Sequence, residues 1–167
     1  MQIVLSITGP AGSGKSTISN KLAEKLPNSV NIDIDSIKHF VVSNFIYDKS
    51  PEGIKQWELL GKNTGEVAHN FFESGYNLII NGYINLPAWG VLTNYVSLTH
   101  KILLLPDIDV AVERDARRDD QRKQGEESVK DHHNYFSSES FYDDFTKIDS
   151  SKLTEDETVD KVLALIY

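Results

Sequence analysis

The chain has 167 residues, of which 40% are hydrophobic and 25% are charged, and it contains no cysteine. This length predicts one domain over residues 1–167 that is large enough to bury a core, and the composition excludes a disordered or fibrous chain, a disulfide scaffold and a thiol nucleophile. The 17 basic and 25 acidic residues give a formal net charge of −8, which disfavours long-range attraction to nucleic acid or to an anionic membrane.

The first half of the chain alternates short apolar runs with segments of helical periodicity. A nearly continuous apolar run predicts a strand over 3–7, and apolar residues at every fourth position predict a helix over 15–26. A second strand is predicted over 30–34, followed by a helix over 36–47. A long helix is predicted over 51–74, because a proline stands at its start and a glycine just past its end.

The second half repeats this alternation. In chain order, the patterns predict a strand over 77–81, a short helix over 87–95, a strand over 101–105, a helix from 108 that is capped by Asp107, a weak strand over 145–148 and an amphipathic helix over 159–166. Apolar strands that alternate with helices indicate a parallel sheet covered on both faces. The expected fold is therefore α/β, with three α/β/α layers around a five-stranded parallel sheet.

Two features bear on where the protein acts. No apolar run approaches the roughly 20 residues that a membrane span needs. The first predicted strand begins at residue 3, which leaves no room for the basic and apolar regions of a signal peptide. We therefore expect a soluble, cytoplasmic protein with no membrane partner.

A phosphate-binding motif follows the first predicted strand. The pattern G-x-x-x-x-G-K-[ST] is matched in full by Gly9, Pro10, Ala11, Gly12, Ser13, Gly14, Lys15, Ser16 and Thr17. Glycines let the backbone approach phosphate, and successive N–H groups at the start of a helix form a nest for anions. Lys15 is expected to reach the β- and γ-phosphates, and the Ser16 hydroxyl to ligate Mg²⁺. The sequence thus predicts a P-loop NTPase fold that uses ATP and Mg²⁺.

The P-loop alone does not identify the reaction, because GTPases, motor ATPases and small kinases all contain it. The sequence has no Asn-Lys-x-Asp guanine signature, which argues against a GTPase. The chain is also too short for most ring ATPases. A glycine-rich turn that only connects a strand to a helix is the alternative interpretation of the motif.

Two carboxylates, Asp33 and Asp35, lie two residues apart at the end of the second predicted strand. Residues i and i+2 of a strand face the same way, so both are predicted to face the crevice beyond the carboxyl ends of the strands, where ligands bind in such sheets. Phosphoryl transfer needs Mg²⁺ and gains from a carboxylate that takes the proton of the acceptor hydroxyl. Asp35 is the predicted base, and Asp33 the predicted magnesium ligand, held through water. In the alternative interpretation, Asp35 only caps the next helix and Asp33 is solvated.

The P-loop followed by Asp33-Ile34-Asp35-Ser36-Ile37 resembles the small P-loop kinases, in particular the group of chloramphenicol phosphotransferase, zeta-toxin-like kinases, and gluconate and shikimate kinases. In chloramphenicol phosphotransferase an Asp-Ser pair after the second strand supplies the base, which places that role on Asp35. In shikimate kinases the first Asp of Asp-x-Asp serves the metal and the second serves the substrate hydroxyl. The resemblance therefore places these two roles on Asp33 and Asp35.

An arginine-rich segment over 113–130 follows the fourth predicted strand. Twelve of its eighteen residues are charged, six of each sign, so the segment is predicted to lie outside the core. Small P-loop kinases carry a mobile lid here, which delivers arginines to the transferring phosphate. Arg114 and Arg118 are four residues apart and are predicted to share one helix face. The resemblance places Arg114 near the adenine and Arg118, as a catalytic residue, on the phosphate, with Arg117 or Arg122 as substitutes. A salt-bridged exposed helix is the alternative.

Two further loops bear on the site. In the resembling kinases, the loop after the fifth strand, which contains Ser150 here, wraps the adenine; a capping turn before the last helix is the alternative. Adenylate-kinase-like enzymes carry Asp-Gly-Phe-Pro-Arg after the third strand, where this chain has Asn81-Gly82-Tyr83-Ile84-Asn85. Because the arginine that binds the substrate phosphate is missing, a nucleoside monophosphate kinase is disfavoured. Asn81 either supports a magnesium-bound water or an acceptor hydroxyl, or caps the turn.

The acceptor is expected to bind within 38–75 and 83–96. Aromatic residues with few polar groups suit an uncharged or weakly cationic ligand that bears a hydroxyl, although tryptophan and phenylalanine at helical spacing also form cores. The leading prediction is an ATP-dependent kinase that phosphorylates a hydroxyl of a small molecule, such as an antibiotic or a sugar. The alternatives are a nucleoside or polynucleotide 5′-hydroxyl kinase and a non-catalytic, nucleotide-dependent switch or binding module. The negative charge and the lack of a basic, aromatic groove count against nucleic acid.

Overall fold

The computed structural model describes residues 2–167, apart from the side chain of Gln121. A five-stranded sheet lies at its centre, formed by β1 (Val4–Thr8), β2 (Ser29–Asp33), β3 (Asn77–Asn81), β4 (His100–Leu104) and β5 (Thr146–Ile148). All neighbouring strands are parallel, in the order β2-β3-β1-β4-β5. The central strand is therefore β1, with β3 on one side and β4 on the other. The P-loop follows the carboxyl end of this central strand.

Helices connect the strands and cover both faces of the sheet. They are α1 (Lys15–Lys25), α2 (Ile34–Lys38), α3 (Pro51–Glu73), α4 (Leu86–Leu92), α5 (Ile108–Ala116), α6 (Glu126–Ser138) and α7 (Glu155–Ile166). Single 3₁₀ turns cover Asp120–Arg122 and Ser140–Tyr142. No helix in residues 2–167 combines the length and the apolar character that crossing a bilayer requires.

Two apolar layers hold the helices to the sheet. On β3, Ile79 belongs to the layer that contains residues of α1 and α7. Leu78 and Ile80 point to the opposite face and belong to the layer with α3, α4 and α6. This alternation along a strand produces the predicted three-layer arrangement, which is confirmed. Trp57 and Trp89 are buried in the second layer, so they are core residues.

The region after β2 differs from the sequence prediction. The strand ends at Asp33, and the predicted helix over 36–47 is reduced to α2, after which residues 39–50 form no helix. Phe40 is 80% exposed and Val42 is 94% exposed, so a helix here would have no apolar face to bury against the core. Asn44 adopts a left-handed φ of 60°, which is incompatible with a continuing helix.

Candidate active site

The P-loop is packed directly against α5. Gly14, with a left-handed φ of 91°, precedes α1, a conformation that glycine adopts without steric penalty. At Gly12 a Cβ atom would collide with the carbonyl oxygen of Ala111 on α5. The absence of a side chain at Gly12 therefore makes room for α5. The phosphate-binding pattern explains this glycine only by the approach of the backbone to phosphate. Ala11 is buried in a small apolar cluster with Ala111 and Val129 of α6.

Lys15 lies close enough to the other predicted catalytic residues, Asp35 and Arg118, to be affected by their charges. Its ammonium group donates a hydrogen bond to the carbonyl oxygen of Pro10 at 2.9 Å, and the side chain is buried. Burial lowers the pKa of Lys15 from 10.5 to about 8; the negative charge of Asp35 opposes this shift, and the positive charge of Arg118 adds to it. The predicted base, the P-loop lysine and the predicted lid arginine thus act on one another electrostatically.

A cavity of about 370 Å³ lies between the P-loop, the end of α5 and the loop after β5, a size that suits a small ligand. Six of the predicted nucleotide-binding residues line it, together with the predicted catalytic Arg118: Gly12, Ser13, Gly14, Thr17, Arg114 and Ser150. Gly9, Ala11, Lys15 and Ser16 do not form part of its wall. A more open hollow of about 470 Å³ along β5 and α7 contains none of the predicted site residues. The cavity at the P-loop is therefore the candidate nucleotide site.

Arg114 is fixed at one end of this cavity. Its guanidinium group donates to the hydroxyl oxygen of Ser150 at 3.1 Å and to the carbonyl oxygen of the same residue at 2.8 Å. The two residues that the resemblance places at the adenine are thus in direct contact. Arg118 reaches the same cavity by a different route from the one predicted: α5 ends at Ala116, so Arg114 and Arg118 do not share a helix face.

A buried carboxylate that sequence reasoning missed shapes the chain after α5. Asp115 is 2% exposed, and one of its oxygens accepts hydrogen bonds from the backbone N–H groups of Gln124 at 2.9 Å and Gly125 at 3.1 Å. Its other oxygen lies 3.4 Å from the Arg118 guanidinium. The prediction that residues 113–130 lie outside the core is therefore wrong for Asp115, and also for the buried Val129. Because the segment is dense in charged residues, its composition gives no indication that Asp115 has backbone partners.

The prediction that Asp33 and Asp35 share a strand face is wrong, because β2 ends at Asp33 and Asp35 lies beyond it. Asp33 caps α2: one carboxylate oxygen accepts from the backbone N–H of Asp35 at 2.9 Å, and the other accepts from the Ser36 hydroxyl at 3.1 Å. Asp35 lies in the first turn of α2 rather than on β2. The capping role in the alternative interpretation thus falls to Asp33, and Asp35 is free to act elsewhere.

The carboxylate of Asp35 connects α2 to the end of β3. One oxygen accepts from the Lys38 ammonium at 2.8 Å, and the other accepts from the backbone N–H of Tyr83 at 3.1 Å. Burial alone would raise the pKa of Asp35, but the charges of Lys38 and Lys15 and the Tyr83 hydrogen bond together hold it below its usual value. Asp35 is therefore an ionised carboxylate at neutral pH, the state that a general base requires.

Oxygen groups that suit Mg²⁺ lie near one another on β2 and β3. Asp33 pairs with Asn81 in the register of the two strands. The Asn81 amide nitrogen donates to the Asn31 side-chain oxygen at 2.9 Å, whereas the Asn81 side-chain oxygen is buried and has no partner within the described part of the chain. A buried acceptor without a donor is costly, and a metal-bound water would satisfy it. Together with the exposed Ser16 hydroxyl, these are the hard ligands that Mg²⁺ prefers, so the residues fit the ion.

Two residues near Asp35 have no individual role in the sequence prediction, although one of them, Lys38, begins the segment predicted to bind the acceptor. Lys38 forms an ion pair with Asp35, and its position three residues later in a helix is a signal that could have revealed the contact. The His132 ring comes from α6 and lies against the Tyr83 ring, with 5.1 Å between centroids. No local pattern connects His132 to Asp35, because the two residues are brought together only by the packing of α6 on the sheet.

Several solved structures share the fold of this chain. A tunicamycin resistance protein from Deinococcus radiodurans superposes with a TM-score of 0.71 at 22% identity, over 99% of this chain and 96% of that one. Shikimate kinase from Acinetobacter baumannii, solved with shikimate, gives 0.69 at 18% identity, over 99% and 93%. Thymidylate kinase from Candida albicans gives 0.67 at 16% identity, over 99% and 91%. The chain has the fold of the small P-loop kinases, as the resemblance implied.

No protein-family model matches the chain, and no curated protein matches it. The assignment of the fold therefore depends on the structure.

Proposed function

We propose that the protein is an ATP-dependent phosphotransferase that moves the γ-phosphate of ATP to a hydroxyl group of a small molecule. The observation that carries the proposal is the convergence on Lys15: the P-loop lysine is buried within the electrostatic reach of the Asp35 carboxylate and the Arg118 guanidinium. These are a phosphate-binding cation, a general base and a second cation for the charge that develops during transfer. Their combination supports group transfer over simple nucleotide binding.

In the proposed reaction, the P-loop and Lys15 hold the phosphates of ATP, and Arg114 with Ser150 forms the far end of the nucleotide cavity. The acceptor hydroxyl oxygen forms a bond to the γ-phosphorus while its proton passes to a carboxylate oxygen of Asp35. The bond between the γ-phosphorus and the β–γ bridging oxygen breaks, and ADP leaves with the electron pair. Asp35 is suited to the proton transfer because it is ionised and held in place by two donors.

Magnesium would be held by the Ser16 hydroxyl, by Asp33 through water and by the unpartnered Asn81 side-chain oxygen through a second water. When bound, the ion neutralises phosphate charge and orients the β- and γ-phosphates. Asp33 retains a lone pair on each oxygen for this purpose, because each oxygen accepts only one hydrogen bond in capping α2.

A small-molecule acceptor is supported by the fold comparisons and by the charge of the chain. The tunicamycin resistance protein and the shikimate kinase are named for small molecules, and both cover nearly the whole chain. A net charge of −8 gives no electrostatic attraction to polynucleotides. A panel of acceptors for testing therefore begins with tunicamycin, shikimate, sugars and nucleosides, and includes a 5′-hydroxyl oligonucleotide as the competing class.

The proposal is tested by the release of ADP from Mg²⁺-ATP across this panel, with the phosphorylated product identified by mass spectrometry. Asp35→Asn removes the base, so we expect turnover to fall by roughly 10²–10⁴-fold with one acceptor that is active in the wild type. The assay is run at pH 6.5, because the Asp35 charge supports the ammonium form of Lys15 and its loss would weaken nucleotide binding at higher pH. At pH 6.5 the affinity for ATP should stay within about twofold of the wild type, since Lys15 is then charged in both proteins.

Asp160→Asn is the matched control, because it removes an exposed carboxylate on α7 that pairs with Lys25. It should leave turnover unchanged. A nucleotide switch without kinase activity would bind ATP, respond to no acceptor and be insensitive to Asp35→Asn. That combination would refute the proposal.

A further inference from the structure

The two residues that donate hydrogen bonds to Asp35 are themselves associated with aromatic rings. Lys38, which is paired with Asp35, lies 5.6 Å from the centroid of the Tyr47 ring. Tyr83, which donates its backbone N–H to Asp35, places its own ring against that of His132. We call these five residues, Asp35, Lys38, Tyr47, Tyr83 and His132, the acceptor-side cluster. They come from α2, the segment after it, the end of β3 and α6.

The rings of this cluster are accessible, unlike the aromatic core behind them. Tyr47 is 67% exposed, and Tyr83 and His132 are half-buried. Trp57, whose ring contacts both Tyr47 and Tyr83, is buried in the core and supports them from behind. Partly exposed rings with rigid support favour a ligand that presents a flat or cyclic apolar surface.

Two adjacent histidines on α6 differ in what they contact. A ring nitrogen of His133 lies 2.8 Å from the carbonyl oxygen of Pro106, and the other lies 3.3 Å from the Ser137 hydroxyl. Among the described groups, which exclude the Gln121 side chain, none forms a hydrogen bond with the His132 ring, in contrast to His133. Burial and the positive charge of Lys15 lower the pKa of His132, so its imidazole is neutral at pH 7. A neutral imidazole has one donor and one acceptor to offer a ligand.

The charges of the cluster cancel. Lys38 and Asp35 neutralise one another across 2.8 Å, and the imidazole carries no charge. An anionic acceptor would compete with Asp35 for Lys38, and a cationic acceptor would compete with Lys38 for Asp35; either would break a partly buried ion pair.

We propose that the acceptor-side cluster binds an uncharged alcohol that contains a ring, and that His132 forms a hydrogen bond to a polar group of this acceptor other than the reacting hydroxyl. The inference deepens the proposed function and rests on it, because it takes Asp35 to be the base. It narrows the expected charge class from uncharged or weakly cationic to uncharged, and it adds a binding residue, His132, on a helix far from the P-loop in sequence.

Matched pairs of acceptors test the charge class. Shikimate and its methyl ester, and glucuronate and its methyl ester, differ within each pair by one anionic group while the ring and every hydroxyl are kept. ADP release and product mass are measured for the full chain with Mg²⁺-ATP at pH 7. We expect kcat/KM to be at least about tenfold higher for the uncharged member in the pairs that react, since the anionic member must disrupt the Lys38–Asp35 pair.

Variants of His132 test its contact with the acceptor. His132→Phe keeps a ring against Tyr83 but has no hydrogen-bonding atom, so KM for the acceptor should rise about five- to tenfold while KM for ATP stays within about twofold. His132→Asn retains a donor and an acceptor and should recover part of the loss. His133→Ala is the matched control: it should lower the thermal midpoint through the lost Pro106 contact and leave both KM values unchanged.

The outcomes separate this inference from the proposed function. Preference for an anionic member, phosphorylation of no uncharged member, or equal effects of His132→Phe and His133→Ala on the acceptor KM would each overturn the inference. Transfer to an anionic acceptor that is lost in Asp35→Asn would leave the proposed function standing and refute only the charge class. Binding of ATP with no transfer to any hydroxyl would refute the proposed function itself.

Discussion

The buried ammonium group of Lys15 predicts that nucleotide binding takes up a proton in mildly alkaline solution. In the free protein, burial lowers the pKa of Lys15 to about 8. The phosphates of a bound nucleotide place negative charge beside the amine, which favours the ammonium form and raises its pKa. Above pH 8, therefore, binding must supply a proton to Lys15, and the affinity for ATP must fall as the pH rises.

The magnitude follows from the pKa of the free protein. With a pKa of about 8, roughly nine-tenths of the amines are charged at pH 7 and roughly one-tenth at pH 9. The affinity for ATP should therefore be about tenfold weaker at pH 9 than at pH 7. The terminal phosphate does not contribute in this range, because it is already ionised above pH 7.

Calorimetric titration with ATP at pH 7, 8 and 9, in buffers of different ionisation enthalpy, measures both quantities. Proton uptake should rise from about 0.1 to about 0.9 per site across this range. Lys15→Arg is the control, since a guanidinium stays charged and its binding should not vary with pH. Constant affinity without proton uptake in the wild type would refute the argument, because Lys15 would then be charged throughout.

The same shift has a consequence for the stability of the free protein. Because the pKa of Lys15 is lower in the folded protein than in the unfolded chain, holding the ammonium form in the folded state costs free energy of unfolding. This destabilisation has its full size below pH 8 and disappears as the pH rises towards 10.5. A shift from 10.5 to about 8 corresponds to about 3 kcal/mol. Lys15→Met should therefore raise the free energy of unfolding at pH 7 by up to about 3 kcal/mol, measured in urea, and by less at pH 10.

Three other substitutions test the packing around the site. Asp115→Asn weakens the acceptor for two backbone N–H groups and releases Arg118, so we expect a loss of about 2 kcal/mol in urea unfolding together with slower turnover; an unchanged unfolding midpoint would contradict this. Gly12→Ala combines a left-handed φ of 76° with a collision against the α5 backbone, so the affinity for ATP, measured by calorimetry, should fall more than about tenfold. Thr154→Ala removes the capping box of α7 and should cost about 1 kcal/mol in thermal unfolding without altering ATP binding; an effect on binding would show that α7 positions the nucleotide cavity.

Features that depend on a few adjacent residues could be predicted from the sequence. The P-loop is an example, because its pattern specifies both the strand before it and the helix after it. The five strands were also predictable, since runs such as Leu78-Ile79-Ile80 must be covered on both faces. The likeness to small P-loop kinases followed from the P-loop and the Asp33–Asp35 spacing together, and the fold bears it out.

The positions of the acidic side chains could not be predicted in the same way. The Asp33–Asp35 spacing suggested one strand face, but the chain changes from strand to helix between these residues, and the period of side-chain direction changes with it. In the arginine-rich segment, composition indicated exposure for every residue. Asp115 is buried because it meets backbone N–H groups that only the folded turn presents, and composition carries no information about such partners.

The helix α6 connects the two halves of the candidate site. Val129 on α6 packs against Ala11 of the P-loop, and His132 lies one turn further along the same helix, against Tyr83. A displacement of α6 would therefore change the support of the P-loop and the acceptor-side cluster together. Since the cluster includes the carboxylate that would take the acceptor proton, the packing of this one helix couples the nucleotide loop to the geometry of the acceptor. The coupling needs no hinge, because both contacts lie on successive turns of one rigid element.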